Sequence, residues 1–494
     1  EDRKQQFLIK SNYDEIVNDD AKLLTTMHFR ITTALAFQAS FRPRAVRRLS
    51  NLRVSPPTAA DHEAGHEAGP ASLGGVLLVA SRLDAAGLSL AEAVLARPGW
   101  SSLETCPVLG GSWAKCGAPL LQKAPPGLAG SSGEASCHLW VLEESLTRAD
   151  DLDLRWAARW GQGSPSEVIF LSRHASASGK PCLTVHPIGN PIGNPKGRQP
   201  GERGGAPVSG GNEALVAELV PEYGGRFGRC PPPSPRMARL LVAARRTALE
   251  RGLLKGKANP AGEFDVCPEA THHGPWLETP CCFVEVGSTE AEWGRSDAAQ
   301  VWADVLHREL FEVGVSASLI EPKGADGEAD GAGGARVPQE VALEERAEIG
   351  KPVLIGLGGG HYAPQVADLV NSGAFRLGHM VASYNFDFTS DASPGAGGWA
   401  DSVREAVAST KRAAQSVLAV EATDRQAGEG GAAVSGVGVG ACRAVRFVAL
   451  VDKKAFKASE RAMVCGLLQE LGVEVAQTKA QAREVAREVA RGGP

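Results

Sequence analysis

The stretch VLIGLGGGHYAP, residues 353–364, carries the reading of the fold. Val353 to Leu357 is short, aliphatic and without polar alternation, the pattern of a strand covered on both faces in a parallel sheet. Gly358, Gly359 and Gly360 have no Cβ, so the chain can turn sharply there and lie close to what it meets. Pro364 suits the first turn of a helix, and ADLVNSG follows. The order is strand, glycine turn, helix. In open α/β sheets ligands bind at the carboxyl ends of strands, where such turns sit. His361 and Tyr362 leave the turn at that point, as site residues or, in the plainer reading, as part of a tight turn with a satisfied histidine.

The same alternation extends outward in both directions. Candidate strands are 75–80, 137–143, 167–172, 182–186, 282–287, 353–358, 379–384 and 446–451. Candidate helices fall at about 88–97, 235–252, 289–313, 364–372, 400–420 and 459–471. Over 289–313, Thr289 and Glu292 have the spacing of a capping box, and Ala298, Trp302, Val305 and Leu306 mark one apolar stripe. Strands alternating with helices give the α/β class, with a mainly parallel or mixed sheet flanked by helices.

Composition narrows the partners. The chain has 494 residues, a formal net charge of −5 and a pI near 6.2, so it carries no global nucleic-acid signature. A polyanion would have to be held by a local basic patch. Arg245, Arg246, Arg251, Lys255 and Lys257 form one cluster of cations that could track phosphates, though it reads first as a solvated helix face. No apolar run approaches the ~20 residues of a membrane span. The ten cysteines include no CxxC pair, which fits a reducing compartment and argues against a disulfide framework or a cysteine zinc site.

Four stretches lack the apolar content to pack and read as insertions, near 107–136, 195–212, 322–340 and 424–441. Residues 1–74 stand outside the fold. Within them 27–57 is rich in arginine and has no acid, the composition of an organellar transit peptide or of a disordered leader. One domain over 75–475 remains, then a terminal tail over 476–494 whose AREVAREVAR repeat suits a helix.

The chemistry concentrates in histidines at or beside the ends of expected strands: His174, His186, His272, His273, His361 and His379. Neighbours in an extended segment point to opposite sides, so His272 and His273 reach one point only if the chain bends between them. Glu285 lies inside the apolar run CCFVEVGST. A buried carboxylate is costly unless paired, hydrogen-bonded or bound to a metal, so it marks either a site or a structural hydrogen bond. No HExxH or compact ligand pair is present. Zinc would need several of these histidines together with Glu285.

SRHASASGKPCLTVHPIGN, EATHHGPWLETPCCFVEVGSTEAEW and VLIGLGGGHYAP with GHMVASY resemble the archaeal and plant type of D-aminoacyl-tRNA deacylase. The likeness extends to VLLVASRLDAAGLSLAE at the start and VDKKAFKASERAMVCGLLQELGV at the end, so it spans about residues 75 to 475. It implies a hydrolase that cleaves the ester between a D-amino acid and the terminal ribose of tRNA. It also implies an α/β fold similar to nucleoside phosphorylases and peptidyl-tRNA hydrolase, a zinc cofactor and, in plants, a link to aldehyde tolerance.

On the positions that match, the expected catalytic groups are His174, His272, His361 and Glu285. Expected substrate contacts are Arg173, Lys180, Asn190, Gly358, Gly359, Gly360, Tyr362 and His379. Zinc is expected on His174, His186, His273 and Glu285. The partner is the aminoacylated 3′ end of tRNA and no membrane is involved, while the oligomeric state is left open. The compartment is the cytoplasm, or a chloroplast or mitochondrion if 27–57 is a transit peptide. One departure is Gln365, where the family has Arg or Lys after HYAP. Rival readings are a phosphorylase-like transferase, in which GGGH and Arg173 would serve phosphate, and a non-catalytic module that binds the tRNA end.

Overall fold

Runs such as VLLVAS and EVIFLSR leave no polar face, so each must be covered from both sides. In the computed structural model they are β1 (Val76–Ser81) and β5 (Glu167–Arg173), central neighbours in an eight-stranded sheet. The structure describes residues 75–105, 111–116, 137–160, 163–191, 224–256, 259–311, 350–388, 398–428 and 445–491, all within one unit spanning 69–494.

The remaining strands of this sheet are β2 (Glu104–Thr105), β3 (Ser112–Cys116), β4 (Cys137–Leu142), β6 (Cys182–Pro187), β7 (Asp265–Pro268) and β8 (Cys281–Gly287). The order across the sheet is β2-β3-β4-β1-β5-β8-β6-β7. β4, β1, β5 and β8 run parallel, while β3 opposes β4 and β6 opposes β8. Alternate residues of β1 divide between two cores. Leu78 and Ala80 join α1 (Ala85–Leu95), α3 (Met237–Glu250) and α5 (Ser296–Phe311). Leu77 and Val79 meet Leu152 and Trp156 of α2 (Leu152–Trp160) on the other face.

A second sheet is wholly parallel, in the order β10 (Arg376–Val381), β9 (Val353–Leu357), β11 (Phe447–Val451), β12 (Glu474–Ala476). Around it lie α6 (Pro364–Val370), α7 (Trp399–Gly428), α8 (Ala458–Glu470) and α9 (Lys479–Ala490). The α/β class read from the sequence is present, with the strands divided between two sheets. No helix among the described residues is long and apolar enough to cross a membrane.

Several boundaries differ from expectation. The helix over 289–313 is two: α4 (Glu290–Trp293), to which the Thr289–Glu292 capping box belongs, and α5. Gly294 follows α4, where a residue without a side chain weakens helix continuation. The strand over 379–384 begins at Arg376 and leaves the sheet at Ala382, because Ser383 donates both its N–H and its hydroxyl to the Gly359 carbonyl, at 3.0 and 2.9 Å. A 3-10 turn, Ser383–Asn385, follows. Within the stretch expected as an insertion near 107–136, residues 112–116 form β3. The insertions at 195–212 and 322–340, with residues 1–74, lie outside the described residues, and 424–428 end α7.

Residues 479–490 are folded into the domain and do not form a tail. The α9 helix is capped by Thr478, and its Ala482 and Ala486 are buried in the same core as Val448 and Leu450 of β11. A chain ending at Gln477 should therefore unfold at a lower temperature and denaturant concentration than the full chain. Equal midpoints would return this segment to the status of a tail.

Candidate active site

Glu285 lies in β8 with Ser172 of β5 opposite it on one side and Thr184 of β6 on the other. Its side chain is 3% exposed and accepts from Thr184 Oγ1 at 3.3 Å. One residue past β5, His174 turns into the same space, 3.5 Å from Glu285 through Nδ1. Gly287 makes this turn possible, since a Cβ there would lie 2.5 Å from the His174 carbonyl oxygen. Two indoles hold the frame: Trp302 Nε1–H donates to the Glu285 carbonyl at 3.0 Å, and Trp293 Nε1–H to that of His174 at 2.9 Å.

A second carboxylate enters from the segment after β7. Glu269 is fully buried, with one oxygen 2.9 Å from His174 Nδ1 and the other 2.7 Å from His361 Nε2. His272 Nε2 stands 3.6 Å from that second oxygen. The segment is stitched to the second sheet, because Ala270 N–H donates to the His361 carbonyl and Thr271 N–H to that of Met380, both at 2.7 Å. The bend required between His272 and His273 is present, since His273 has a φ of 21° and the two rings are 4.1 Å apart between centroids. His186 completes the group, its ring 4.2 Å from His272.

Burial and charge set the protonation pattern. Burial alone would depress His174, but Glu269 and Glu285 carry it up to about 12, so it is an imidazolium at neutral pH. Burial likewise opposes charge on His186, and Glu285 raises it. Burial, followed by repulsion from His273 and His186, drives His272 well below its ordinary value and keeps it neutral. Both carboxylates are held below the usual range against desolvation, Glu269 mainly by His174 and His361, and Glu285 mainly by His186 and His174.

Two donor sets converge here, His186 with His272 and His273, and His174 with Glu269 and His361; in each, the ligand atoms lie within 4.8 Å of one another. Imidazole and carboxylate donors suit zinc. The fit is supported by Nε2 of His186, which is buried without a hydrogen-bond partner among the described residues. Its Nδ1 lies 3.1 Å from the Pro187 carbonyl, so Nε2 is the nitrogen directed at the cluster, 3.6 Å from Glu285 Oε1. The His174–Glu269 approach of 2.9 Å likewise lacks the alignment of a hydrogen bond. The four residues expected to hold zinc are thus divided: His186 and His273 fall in one set, His174 in the other, and Glu285 lies between His174 and His186.

His361 leaves the glycine turn as expected and is partly exposed, at 28%. Its Nδ1 lies 3.3 Å from the hydroxyl of Tyr384, a residue of the 3-10 turn with no role expected from sequence. The Tyr362 hydroxyl is 2.9 Å from His174 Nε2 and also bonds Ser176. Gly358 and Gly359 adopt φ of 86° and 80°, and Gly360 is exposed at the rim. Arg173 lies over the Trp293 ring and is exposed, as is Lys180.

Two expected substrate contacts are elsewhere. Asn190 is buried and donates to the Gly224 carbonyl at 2.8 Å. His379 is fully buried inside β10, bonded to Thr271 Oγ1 through Nδ1 and to the Pro231 carbonyl through Nε2. It braces the segment that carries His272 and has no surface to offer a ligand. Glu269, which received no role from sequence, is the hub of the cluster.

A family model described as D-aminoacyl-tRNA deacylase matches residues 211–476. D-aminoacyl-tRNA deacylase from Arabidopsis thaliana is 32% identical over 344 residues, which covers 68% of this chain and 86% of that protein. The protein of the same name from Archaeoglobus fulgidus is 27% identical over 251 residues, 51% of this chain and 64% of the relative. A crystal structure of a conserved protein of unknown function aligns over 83% of this chain and 97% of its own at 21% identity, with a TM-score of 0.48.

The His379 brace has a consequence for stability. Burial lowers its imidazole from 6.5 to about 3, so it is neutral in both folded and unfolded chains above pH 6.5. As pH falls from 6.5 toward 3, only the unfolded chain takes up that proton, and stability is lost. His379→Gln should flatten unfolding free energy against pH in that window by up to about one proton. An unchanged slope would show that this histidine is not held neutral.

Proposed function

We propose, on the premise that the chain belongs to the D-aminoacyl-tRNA deacylase family, that the Glu269–Glu285 histidine cluster is where it hydrolyses the ester of D-aminoacyl-tRNA. The observation that carries this assignment is the Glu269–His361 pair, a fully buried carboxylate 2.7 Å from an imidazole that reaches the surface. With Nε2–H donated to Glu269, Nδ1 keeps its lone pair and serves as the base. It takes a proton from water as the oxygen attacks the ester carbonyl, then returns it to the departing ribose oxygen. An aminoacyl ester is already activated, so the remaining need is stabilisation of the oxyanion.

Backbone amides at the exposed end of the glycine turn, around Gly360, are the donors on hand for that charge. The Tyr384 hydroxyl lies 3.3 Å from Nδ1, a contact that gives way to water when His361 acts as base, while Glu269 holds the ring by its other nitrogen. His174, kept cationic by both carboxylates, balances buried charge and positions Glu269. His186, His272 and His273 would hold zinc, which when bound polarises a carbonyl and acidifies water.

The tRNA terminus approaches over the glycine turn, with Arg173 and Lys180 exposed for its phosphates. Steric exclusion of the L side chain selects the D-ester. The resemblance to the plant type extends the substrate to esters whose amino group carries an aldehyde adduct. The compartment is the cytoplasm, with an organelle as the alternative if 27–57 directs import.

Matched D- and L-aminoacyl-tRNA should be distinguished by the purified chain, the D-ester being lost selectively and chelation abolishing the loss until zinc is restored. Selective loss that survives chelation would leave the His361 base and remove the zinc assignment. Cleavage of neither ester above the buffer rate would defeat the deacylase reading. Turnover of a free nucleoside with phosphate would favour the transferase.

Glu269→Gln should lower kcat by roughly 10²- to 10⁴-fold, since it removes the acceptor that orients the base. A loss below tenfold would show that Glu269 does not serve His361.

A further inference from the structure

We infer that the loop joining β11 to α8, with Lys453, Lys454 and Lys457, is a phosphate-binding face for the tRNA substrate. The inference rests on the function proposed above and adds a surface to it. β11 runs parallel to β9 with Val451 opposite Leu357, so the loop after β11 leaves the sheet beside the glycine turn after β9. The two are in contact: Asp452 N–H donates to the Leu357 carbonyl at 2.9 Å, and a Cβ on Gly358 would lie 2.6 Å from that of Ala455 and 2.8 Å from the Phe456 ring. The lysines therefore emerge at the edge where His361 emerges.

Charge on this loop is mainly positive, three lysines against Asp452, whose Oδ2 lies toward Gly359. All three lysines are exposed, and neither Lys453 nor Lys454 has an ion pair among the described residues. The nearby acids are engaged locally: Asp452 accepts the Lys454 N–H at 2.9 Å, and Glu460 accepts the Lys457 N–H at 2.8 Å, with Lys457 Nζ 3.4 Å from its other oxygen. The net charge of −5 offers a polyanion no overall attraction, so a local positive edge at the site mouth favours docking there.

The cationic cluster around α3 is placed differently. Leu254 bridges Phe264 directly before β7, whereas the site begins with Glu269 directly after it, so that cluster sits at the opposite end of the strand. Arg246 is paired with Glu250 and Arg251 with Asp304. It faces away from the chemistry and is partly neutralised.

The test is binding of uncharged tRNA to the full chain across a salt series, comparing wild type with Lys453→Gln/Lys454→Gln and with Arg245→Gln/Arg246→Gln. Each lysine lost from a phosphate should reduce the slope of log affinity against log salt by roughly 0.7–0.9, while the arginine pair leaves it unchanged. In turnover, the lysine variant should show a raised KM for D-aminoacyl-tRNA and an unaltered kcat. It should cleave a phosphate-free D-aminoacyl-adenosine ester at the wild-type rate. An unchanged salt slope overturns the inference, and so does an equal loss on the phosphate-free ester. If wild type cleaves no D-aminoacyl-tRNA but the slope still falls in the lysine variant, the tRNA face stands and the proposed reaction fails.

Discussion

Two carboxylates buried side by side constrain the rest of this structure. Glu269 and Glu285 are at most 3% exposed, and neither could remain ionised there without compensating charge and hydrogen bonds. The compensation comes from His174, His186 and His361 on three different segments, so strand order, the turn after β5 and the glycine turn all serve one local balance. His174 touches both carboxylates and is held cationic by them. Zinc on the three-histidine set would change that balance, because a divalent cation takes over charge that protons otherwise supply.

The two sheets meet through backbone as well as side chains. Ala270 and Thr271 are hydrogen-bonded to His361 and Met380, and the Thr271 hydroxyl accepts the Met380 N–H at 3.0 Å while lying 3.0 Å from His379 Nδ1. These bonds fix the spacing between Glu269 on one sheet and His361 on the other. A carboxylate–imidazole contact of 2.7 Å needs close placement, and rigid elements supply it better than free loops. The 3-10 turn pinned to Gly359 brings Tyr384 to the same place.

Much of this was legible from residue pattern, for reasons that can be named. Long aliphatic runs gave β1, β5, β8 and β9, since only burial on both faces explains them. His174 and His361 followed from their positions after strands, and Glu285 from the cost of a carboxylate in an apolar run. Other features depended on contacts between distant segments. Glu269 sits in CPEATHH, where nothing local marks it as buried, and its role appears only once β7 meets the second sheet. His379 has the same surroundings in sequence as a site histidine, yet a central position in β10 closes it off. Short strands such as β7 and β12 carry too few residues to show a period.

The stitching of residues 270 and 271 to the second sheet also orders events in time. β9 lies between β10 and β11, so that sheet is incomplete until residues 447–451 exist. During synthesis, the first sheet can gather Glu285, His174 and His186 while Glu269 has no histidine from the second sheet to meet. Contacts this distant along the chain close late. The histidine cluster therefore closes only once residues 447–451 are available to complete the sheet that carries His361.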